Sequence, residues 1–219
     1  MSNRKTNNTQ QQQEQFVENC RYLGLKLLAE EYQQMVDMAN KHTVGYYEFI
    51  GDIVQAEAAT KQQRRIEYLI KNSRLPYPLK MLADFDFDFQ PKLNRKLIMD
   101  LASLGFIERN ESILFLGENG VGKSHLGRSL ALMACQGGYK TYYTTCSELI
   151  NDLNAGVYEK TLDKRMRKYI NPELLLIDEM GHDRLELQVI KEAHLLFKVI
   201  DQRYKDNKSL IFTTNIEEP

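Results

Sequence analysis

The sequence has few of the features that mark secreted, zinc-binding or membrane proteins. It contains three cysteines, Cys20, Cys135 and Cys146, an odd number without a Cys-x-x-Cys pair. This argues against a disulfide framework or a zinc knuckle and predicts buried or half-buried thiols in a reducing compartment. No apolar run approaches the roughly 20 residues of a membrane span, and the polar beginning lacks the apolar core of a signal peptide. We therefore expect a cytoplasmic protein with no membrane partner.

The sequence also lacks a strong net charge. Its 29 Lys and Arg residues nearly balance 30 Asp and Glu residues, so a basic surface for nucleic acid has to come from local segregation. The most basic segment spans residues 61–80, and we predict that it contacts DNA through Lys61, Arg64, Arg65, Lys71 and Arg74. A second basic run, residues 159–169, is typical of a solvated helix face, with phosphate contact as the alternative.

The first part of the chain has a helical pattern. From Phe16 to Asn72, apolar residues recur at helical spacing, which predicts two helices joined by a turn near Thr43. Pro76 and Pro78 end the pattern, because proline lacks the backbone N–H that a helix interior requires. We predict a disordered, glutamine-rich tail over residues 1–15 and a small all-helical domain over residues 16–83.

Aspartate and phenylalanine alternate in the segment that follows, over residues 84–89. The period of two predicts an extended linker with its phenylalanines on one face, and we assign residues 84–111 to this linker and a leading helix. A metal site formed by Asp84, Asp86 and Asp88 is the weaker alternative, because no histidine or further acid lies nearby.

The remaining residues, 112–219, alternate between strand and helix patterns. Strands are predicted at residues 113–116, 141–144, 174–177 and 210–213, and helices at 124–135, 147–153 and 187–204. Thr145 and Glu148 form a capping box for the middle helix. Strands that are apolar throughout belong inside a parallel sheet with helices on both faces, so we predict an α/β fold.

A phosphate-binding motif lies between the first of these strands and its helix. Gly117-x-x-x-x-Gly122-Lys123-Ser124 lets the backbone wrap a phosphate, with Lys123 reaching the β- and γ-phosphates and Ser124 ligating magnesium. The pattern predicts an α/β P-loop NTPase that binds ATP through Gly117, Glu118, Asn119, Gly120, Val121, Gly122, Lys123, Ser124 and His125.

Polar residues at the ends of two later strands favour ATP hydrolysis. Asp178 and Glu179 follow four buried aliphatic residues, which suggests one carboxylate for the metal shell and one for the attacking water. Asn215, after the last strand, is suited to orient that water. We therefore predict Lys123, Glu179 and Asn215 as catalytic residues and Ser124 and Asp178 as magnesium ligands.

Together these motifs resemble the IstB-like ATP-binding proteins, helpers of insertion-sequence transposition in the AAA+ group, which are similar to the DnaC helicase loaders. The resemblance extends from about Phe16 onward and rests on the segments "FLGENGVGKSHLGRSL", "LLLIDEMG" and "TTN". It implies the ATP and magnesium roles given above. It also implies ATP-dependent homo-oligomers on duplex DNA that recruit or stimulate the transposase of the same insertion sequence.

Two alternatives stay open. The first is a helicase loader whose partner is a replicative helicase, and the second is a small-molecule kinase, which adjacent Asp178 and Glu179 disfavour. The resemblance further implies a fifth strand and an arginine acting on a neighbouring subunit, both beyond Pro219. Such arginines are worth about 10³–10⁵ in the rate of hydrolysis. We therefore expect residues up to Pro219 to bind ATP, whereas rapid turnover would need that further arginine.

Overall fold

The computed structural model describes residues 2–180 and 189–215. Its contacts divide the chain into two units, residues 1–65 and 66–219. The division falls earlier than the predicted boundary after residue 83. Leu69, Ile70 and Leu75 account for the difference, because they pack into the hydrophobic core of the second unit.

Three helices begin the chain: α1 (Ser2–Tyr22), α2 (Lys26–His42) and α3 (Tyr46–Asn72), the last of which continues into the second unit. Only two helices were predicted here, because the apolar spacing continues across Gly24. In the structure Gly24 has a φ of +74° and ends α1. Helix α1 begins at Ser2, within the segment predicted to be a disordered tail. Its glutamines have a high helix propensity, which is the physical reason for this difference.

A buried carboxylate joins α2 and α3 in the first unit. Glu57 is 7% exposed, and its Oε1 accepts a hydrogen bond of 2.7 Å from the backbone N–H of Leu28. Leu28 lies in the first turn of α2, where N–H groups have no partner within the helix. Phe16 and Tyr32 pack with ring centroids 5.1 Å apart and bring α1 against α2.

The second unit is built around a parallel sheet. Its strands are β1 (Ile113–Leu116), β2 (Thr141–Thr145), β3 (Leu174–Met180) and β4 (Ser209–Thr214). They pair in the order β1-β4-β3-β2, and every pair is parallel. All four strands lie within three residues of their predicted positions.

Helices cover both faces of this sheet. The elements are α4 (Arg95–Ala102), α5 (Gly105–Glu108), α6 (Lys123–Gln136), α7 (Cys146–Tyr158), α8 (Leu162–Ile170) and α9 (Val189–Lys205). In β3, Leu174 and Leu176 join the core formed with α5 and α6, whereas Leu175 and Ile177 join the core formed with α7, α8 and α9. This alternation confirms the α/β fold with helices on both faces.

The aspartate–phenylalanine segment is not the extended strand that its alternation predicted. Residues Leu82–Asp84 form a 3₁₀ helix, and Asp86 Oδ1 accepts hydrogen bonds from the backbone N–H groups of Asp88 and Phe89. An aspartate that binds the backbone two and three residues ahead stabilises a turn over an extended chain. Phe85 is buried, but Phe89 is 68% exposed, so the predicted single aromatic face does not form.

The described residues bear on the predictions about cysteines and about membrane spans. All three cysteines are free thiols; Cys20 and Cys135 are buried and Cys146 is half-buried. Within the described ranges, none of the helices is both long and apolar enough to cross a membrane.

Candidate nucleotide-binding site

The phosphate-binding motif forms the loop between β1 and α6. Gly120 and Gly122 have φ angles of +81° and +93°, which side chains with a Cβ rarely adopt. Space is a second constraint at Gly122, because a Cβ there would lie 2.6 Å from the ring of Phe85. Phe85, from the linker, therefore packs directly on the loop, and it also meets the His125 ring edge to face at 5.4 Å.

The ammonium group of Lys123 lies inside the curve of this loop. Its Nζ donates hydrogen bonds to the carbonyl oxygens of Gly117 at 2.8 Å and Glu118 at 2.5 Å. Burial lowers the pKa of Lys123, and the negative charge of Asp178 opposes that shift. The lysine is thus a preorganised cation in the position where the motif would receive a phosphate.

Asp178, at the carboxyl end of β3, is completely buried. One of its oxygens, Oδ1, accepts hydrogen bonds from the hydroxyl groups of Thr213 and, at 2.7 Å, Ser124. Burial alone would raise the pKa of Asp178, but these two hydroxyls and the Arg128 guanidinium lower it below its usual value. The carboxylate is therefore ionised at neutral pH.

The other oxygen of Asp178 is bound by two residues that the sequence analysis missed. Arg128 donates to Oδ2 from Nη2 at 2.8 Å and from Nε at 3.2 Å, and the Tyr143 hydroxyl donates at 3.2 Å. Arg128 also donates to the Tyr143 hydroxyl at 3.0 Å. Burial raises the pKa of Tyr143 to about 12, so it remains a donor. Arg128 lies four residues after Ser124, hence on the same face of α6, and that spacing could have identified it.

An open cleft of about 240 Å³ collects most of the predicted ATP-site residues. It is lined by Asn119, Gly120, Gly122, Lys123, Ser124, His125, Glu179, Thr213 and Asn215. Gly117 and Glu118 contribute carbonyl groups to the loop, whereas Asp178 lies behind the cleft and is reached through Ser124. His125 Nε2 lies 2.8 Å from the Met81 carbonyl oxygen, so this ring is held by the segment just before the linker.

Glu179 reaches the cleft because β3 leaves its regular pairing there. The register between β3 and β4 shifts between Ile177 and Met180. Glu179 adopts φ +61°, and its backbone N–H donates to the Thr213 hydroxyl at 3.0 Å. Its side chain is exposed at the cleft, as expected of a carboxylate that contacts solvent or a ligand.

The paired oxygens of Ser124 and Asp178 are the kind of ligands that magnesium prefers. Among the described residues, no group of three or more His, Cys, Asp or Glu side chains is arranged to hold a metal by itself. Magnesium at nucleotide sites is commonly held by one or two protein oxygens together with phosphate oxygens and water. Ser124 and Asp178 fit that mode of binding.

None of the predicted DNA-contacting residues is among the residues that line this cleft. Lys61, Arg64, Arg65 and Lys71 belong to α3, and all but the half-buried Arg64 are exposed. Arg74 follows α3 with a φ of +60°, and its Nη1 donates to the Tyr142 hydroxyl at 3.0 Å.

Comparison with known proteins finds relatives that are described as ATP-binding proteins. The family described as IstB-like ATP binding protein matches residues 19–217. An insertion sequence IS5376 ATP-binding protein from Geobacillus stearothermophilus is 41% identical over 202 residues, which are 92% of this chain and 78% of that protein. The corresponding protein of insertion sequence IS21 from Pseudomonas aeruginosa is 33% identical over 193 residues, covering 88% and 71%.

Solved structures show the same fold at low sequence identity. DnaA from Aquifex aeolicus, bound to AMPPCP, superposes with a TM-score of 0.54 at 18% identity, over 65% of this chain and 43% of that one. The structure called DnaI superposes with a TM-score of 0.51 at 19% identity, over 67% and 75%. The match to DnaA therefore spans less than half of that protein and concerns the fold alone.

Proposed function

Since the chain belongs to the IstB-like ATP-binding family, we propose that it is an ATPase that assembles on duplex DNA when ATP is bound and recruits or stimulates the transposase of its insertion sequence. The observation that carries the proposal is the meeting of Lys123, Ser124 and Glu179 at one cleft, with Asp178 hydrogen-bonded to Ser124. This arrangement supplies a cation for phosphate, two oxygens for magnesium and one exposed carboxylate.

We assign each residue a role that its position supports. Lys123 binds and neutralises the β- and γ-phosphates, and backbone N–H groups of residues 117–124 complete the cradle. Ser124 and Asp178 would hold magnesium, which supplies charge stabilisation at the phosphates when bound. Glu179 accepts a proton from the attacking water, and the Asn215 amide orients that water. Arg128 and Tyr143 keep the Asp178 carboxylate in place.

The proposed DNA and transposase partners rest on the family and on the charges described above. Relatives at 41% and 33% identity are named as ATP-binding proteins of insertion sequences, so the biological context we propose is transposition. Exposed cations on α3 supply phosphate contacts, which position a protein on DNA without specifying a base sequence. ATP-dependent homo-oligomers would place many such contacts along one duplex.

The test is binding to a long duplex at moderate salt, with ATP and magnesium, without ATP, and with the Lys123→Ala variant in ATP. We expect cooperative binding only for the wild type with ATP, and a loss of at least about 100-fold in nucleotide affinity for Lys123→Ala. Lys96→Ala, which removes an exposed lysine of α4, is the matched control and should bind as the wild type does.

Three outcomes are informative. Binding of duplex DNA that is equal with and without ATP would contradict the coupling of nucleotide to assembly. A wild-type chain that binds ATP but ignores duplex DNA would favour a protein partner, which is the helicase-loader alternative. Absence of ATP binding by the wild type would contradict the nucleotide site itself.

A further inference from the structure

A groove in the second unit, lined by other residues than the nucleotide cleft, has more cations than acids in its lining. It has a volume of about 430 Å³ and runs beside β2, between the end of α3 and the end of α8. It is lined by Tyr68, Leu69, Asn72, Lys140, Thr141, Tyr142, Arg167, Lys168, Asn171 and Pro172. Three of these ten residues are cations and none is an acid, although the chain as a whole is nearly neutral.

We propose that this groove binds the phosphate backbone of the DNA on which the protein assembles, through Lys140 and Arg167. The proposal rests on the proposed function and adds a contact surface to it. Lys140 was not among the residues predicted to contact DNA, whereas Arg167 belongs to the second basic run, for which phosphate contact was the alternative. The fold brings them together at the start of β2 and the end of α8.

Lys140 and Arg167 are the cations of the groove that are available to a ligand. Both side chains are exposed, and neither takes part in any ion pair of the described residues. Lys168 differs, because its Nζ is held 2.6 Å from Asp152 Oδ2. Arg74 adds a further cation near the groove through its hydrogen bond to Tyr142, and Glu173 adds an acid beside it, since its Oε2 accepts from the Lys140 backbone N–H at 2.8 Å.

The end of α8 would normally repel phosphate, since the carbonyl groups at a helix C-terminus carry partial negative charge. Here two other cations neutralise it from behind. Lys208 Nζ donates to the carbonyls of Ile170 and Asn171 at 2.9 and 3.2 Å. Arg203 donates to the carbonyls of Tyr169 and Pro172 at 2.8 and 2.9 Å. These two cations offset the partial negative charge of the helix end, beside which the Arg167 side chain is exposed.

The groove is also rigid on its inner side. The backbone N–H of Tyr143 donates to the Ser73 carbonyl at 2.7 Å, which ties β2 to the segment after α3. The ring of Tyr142 meets that of Tyr169 edge to face at 5.7 Å, which fixes the floor of the groove. A preformed groove that carries Asn and Tyr groups beside its cations suits a phosphodiester chain. The charges of such a chain recur at regular intervals, so the protein can bind them with little rearrangement.

The experiment compares the double variant Lys140→Gln/Arg167→Gln with the wild type, in ATP, across a series of salt concentrations. Each phosphate contact contributes about 0.9 to the slope of log affinity against log salt, so we expect that slope to fall by about 2 per protomer. Affinity at about 0.15 M salt should fall by about tenfold or more. ATP binding should be unchanged, because neither residue lines the nucleotide cleft.

The matched control is Lys96→Gln/Lys198→Gln, which removes two exposed lysines outside the groove and should leave the salt slope unchanged. A wild-type slope in the groove variant would overturn the groove proposal while the proposed function stands. Failure of the wild type itself to bind duplex DNA would overturn both. A competition experiment uses poly-glutamate and unlabelled DNA of equal charge against labelled DNA bound to the wild type. If the two competitors are equally effective, the occupant of the groove is an acidic protein segment and the groove proposal is overturned.

Discussion

At the scale of single residues, Arg203 holds a charge in the interior of the second unit, where it forms no ion pair with any carboxylate that the structure describes. Its two terminal nitrogens donate to backbone carbonyls within 2.6–3.2 Å, those of Tyr169, Ile170, Pro172, Glu173 and Ser209. Burial lowers the pKa of Arg203 to about 10, which still leaves the group protonated at neutral pH. One side chain thus satisfies the end of α8, the turn before β3 and the start of β4.

We predict that Arg203→Lys lowers the free energy of unfolding by about 3 kcal/mol, because one ammonium cannot reach five carbonyls and leaves several of them buried without a donor. Urea denaturation monitored by circular dichroism measures the change. Arg109→Lys, the same chemical change at a side chain that is 57% exposed, should stay within about 0.5 kcal/mol of the wild type. Equal effects of the two substitutions would contradict the role given to Arg203.

The residues of the nucleotide cleft differ in how well the sequence reveals them. Lys123 and Ser124 were predicted correctly as part of the loop because they belong to one contiguous motif. Arg128 and Tyr143 could not be recognised with the same ease, since their partner Asp178 is 50 and 35 residues away in the chain. Such contacts depend on the packing of α6 and β2 against β3, which a local pattern does not contain.

At the scale of helices and strands, Asp152 connects α7 to α8. Its carboxylate accepts from Arg165 Nη1 at 2.6 Å, from Lys168 Nζ at 2.6 Å and from the Tyr169 hydroxyl at 2.8 Å. Partial burial would raise the pKa of Asp152, but the donors on α8 lower it below its usual value. The contact therefore depends on ionisation of one carboxyl group.

The lowered pKa of Asp152 predicts how acid acts on these two helices. Because the folded pKa lies below the unfolded one, the stabilisation is complete above the unfolded pKa of about 3.9 and is lost as pH falls through the folded pKa. Asp152→Asn should cost about 2 kcal/mol at pH 6 and progressively less below pH 4. Denaturation of both proteins between pH 6 and pH 3 tests this. The exposed Asp88→Asn is the control, and a pH-independent difference for Asp152→Asn would contradict the prediction.

The sequence predicted elements well where one pattern dominates and poorly where two compete. Apolar strands and the Thr145 cap of α7, which accepts from the Glu148 N–H at 3.2 Å, followed directly from residue types. The break at Gly24 was missed because apolar spacing continues across it. The aspartate–phenylalanine segment was misread because turn formation by Asp86 outweighs a period of two over six residues.

At the scale of the whole molecule, ATP binding should stabilise the fold, because a ligand that binds only the native state shifts the folding equilibrium. A non-hydrolysable ATP analogue with magnesium, at 100 times its dissociation constant, should add about 2.7 kcal/mol and raise the melting temperature by about 5 °C or more. Differential scanning fluorimetry measures the shift. Lys123→Ala should show none, and a shift that persists in that variant would place the nucleotide elsewhere.

The division into two units was less accessible from the sequence than the fold of either. The helical pattern of α3 continues without interruption through residue 65, where the contacts divide the chain. Composition changes later, near Asp84, and that change was the basis of the predicted boundary. The helical periodicity of α3 shows which residues are apolar. It does not show which of the two units those residues pack into, so it cannot locate a boundary inside the helix.

The left-handed backbone conformation at Glu179 lowers the stability of the fold, whereas the proposed catalytic role requires a glutamate at this position. A glutamate is strained at φ +61° by about 1 kcal/mol, because its Cβ lies close to the following carbonyl oxygen, whereas glycine or asparagine adopts that conformation readily. If Glu179 activates water as proposed, the chain keeps a less stable residue there for the sake of turnover. A related protein that uses ATP binding without hydrolysis would not need this carboxylate. Glycine or asparagine at this position would then make its fold more stable.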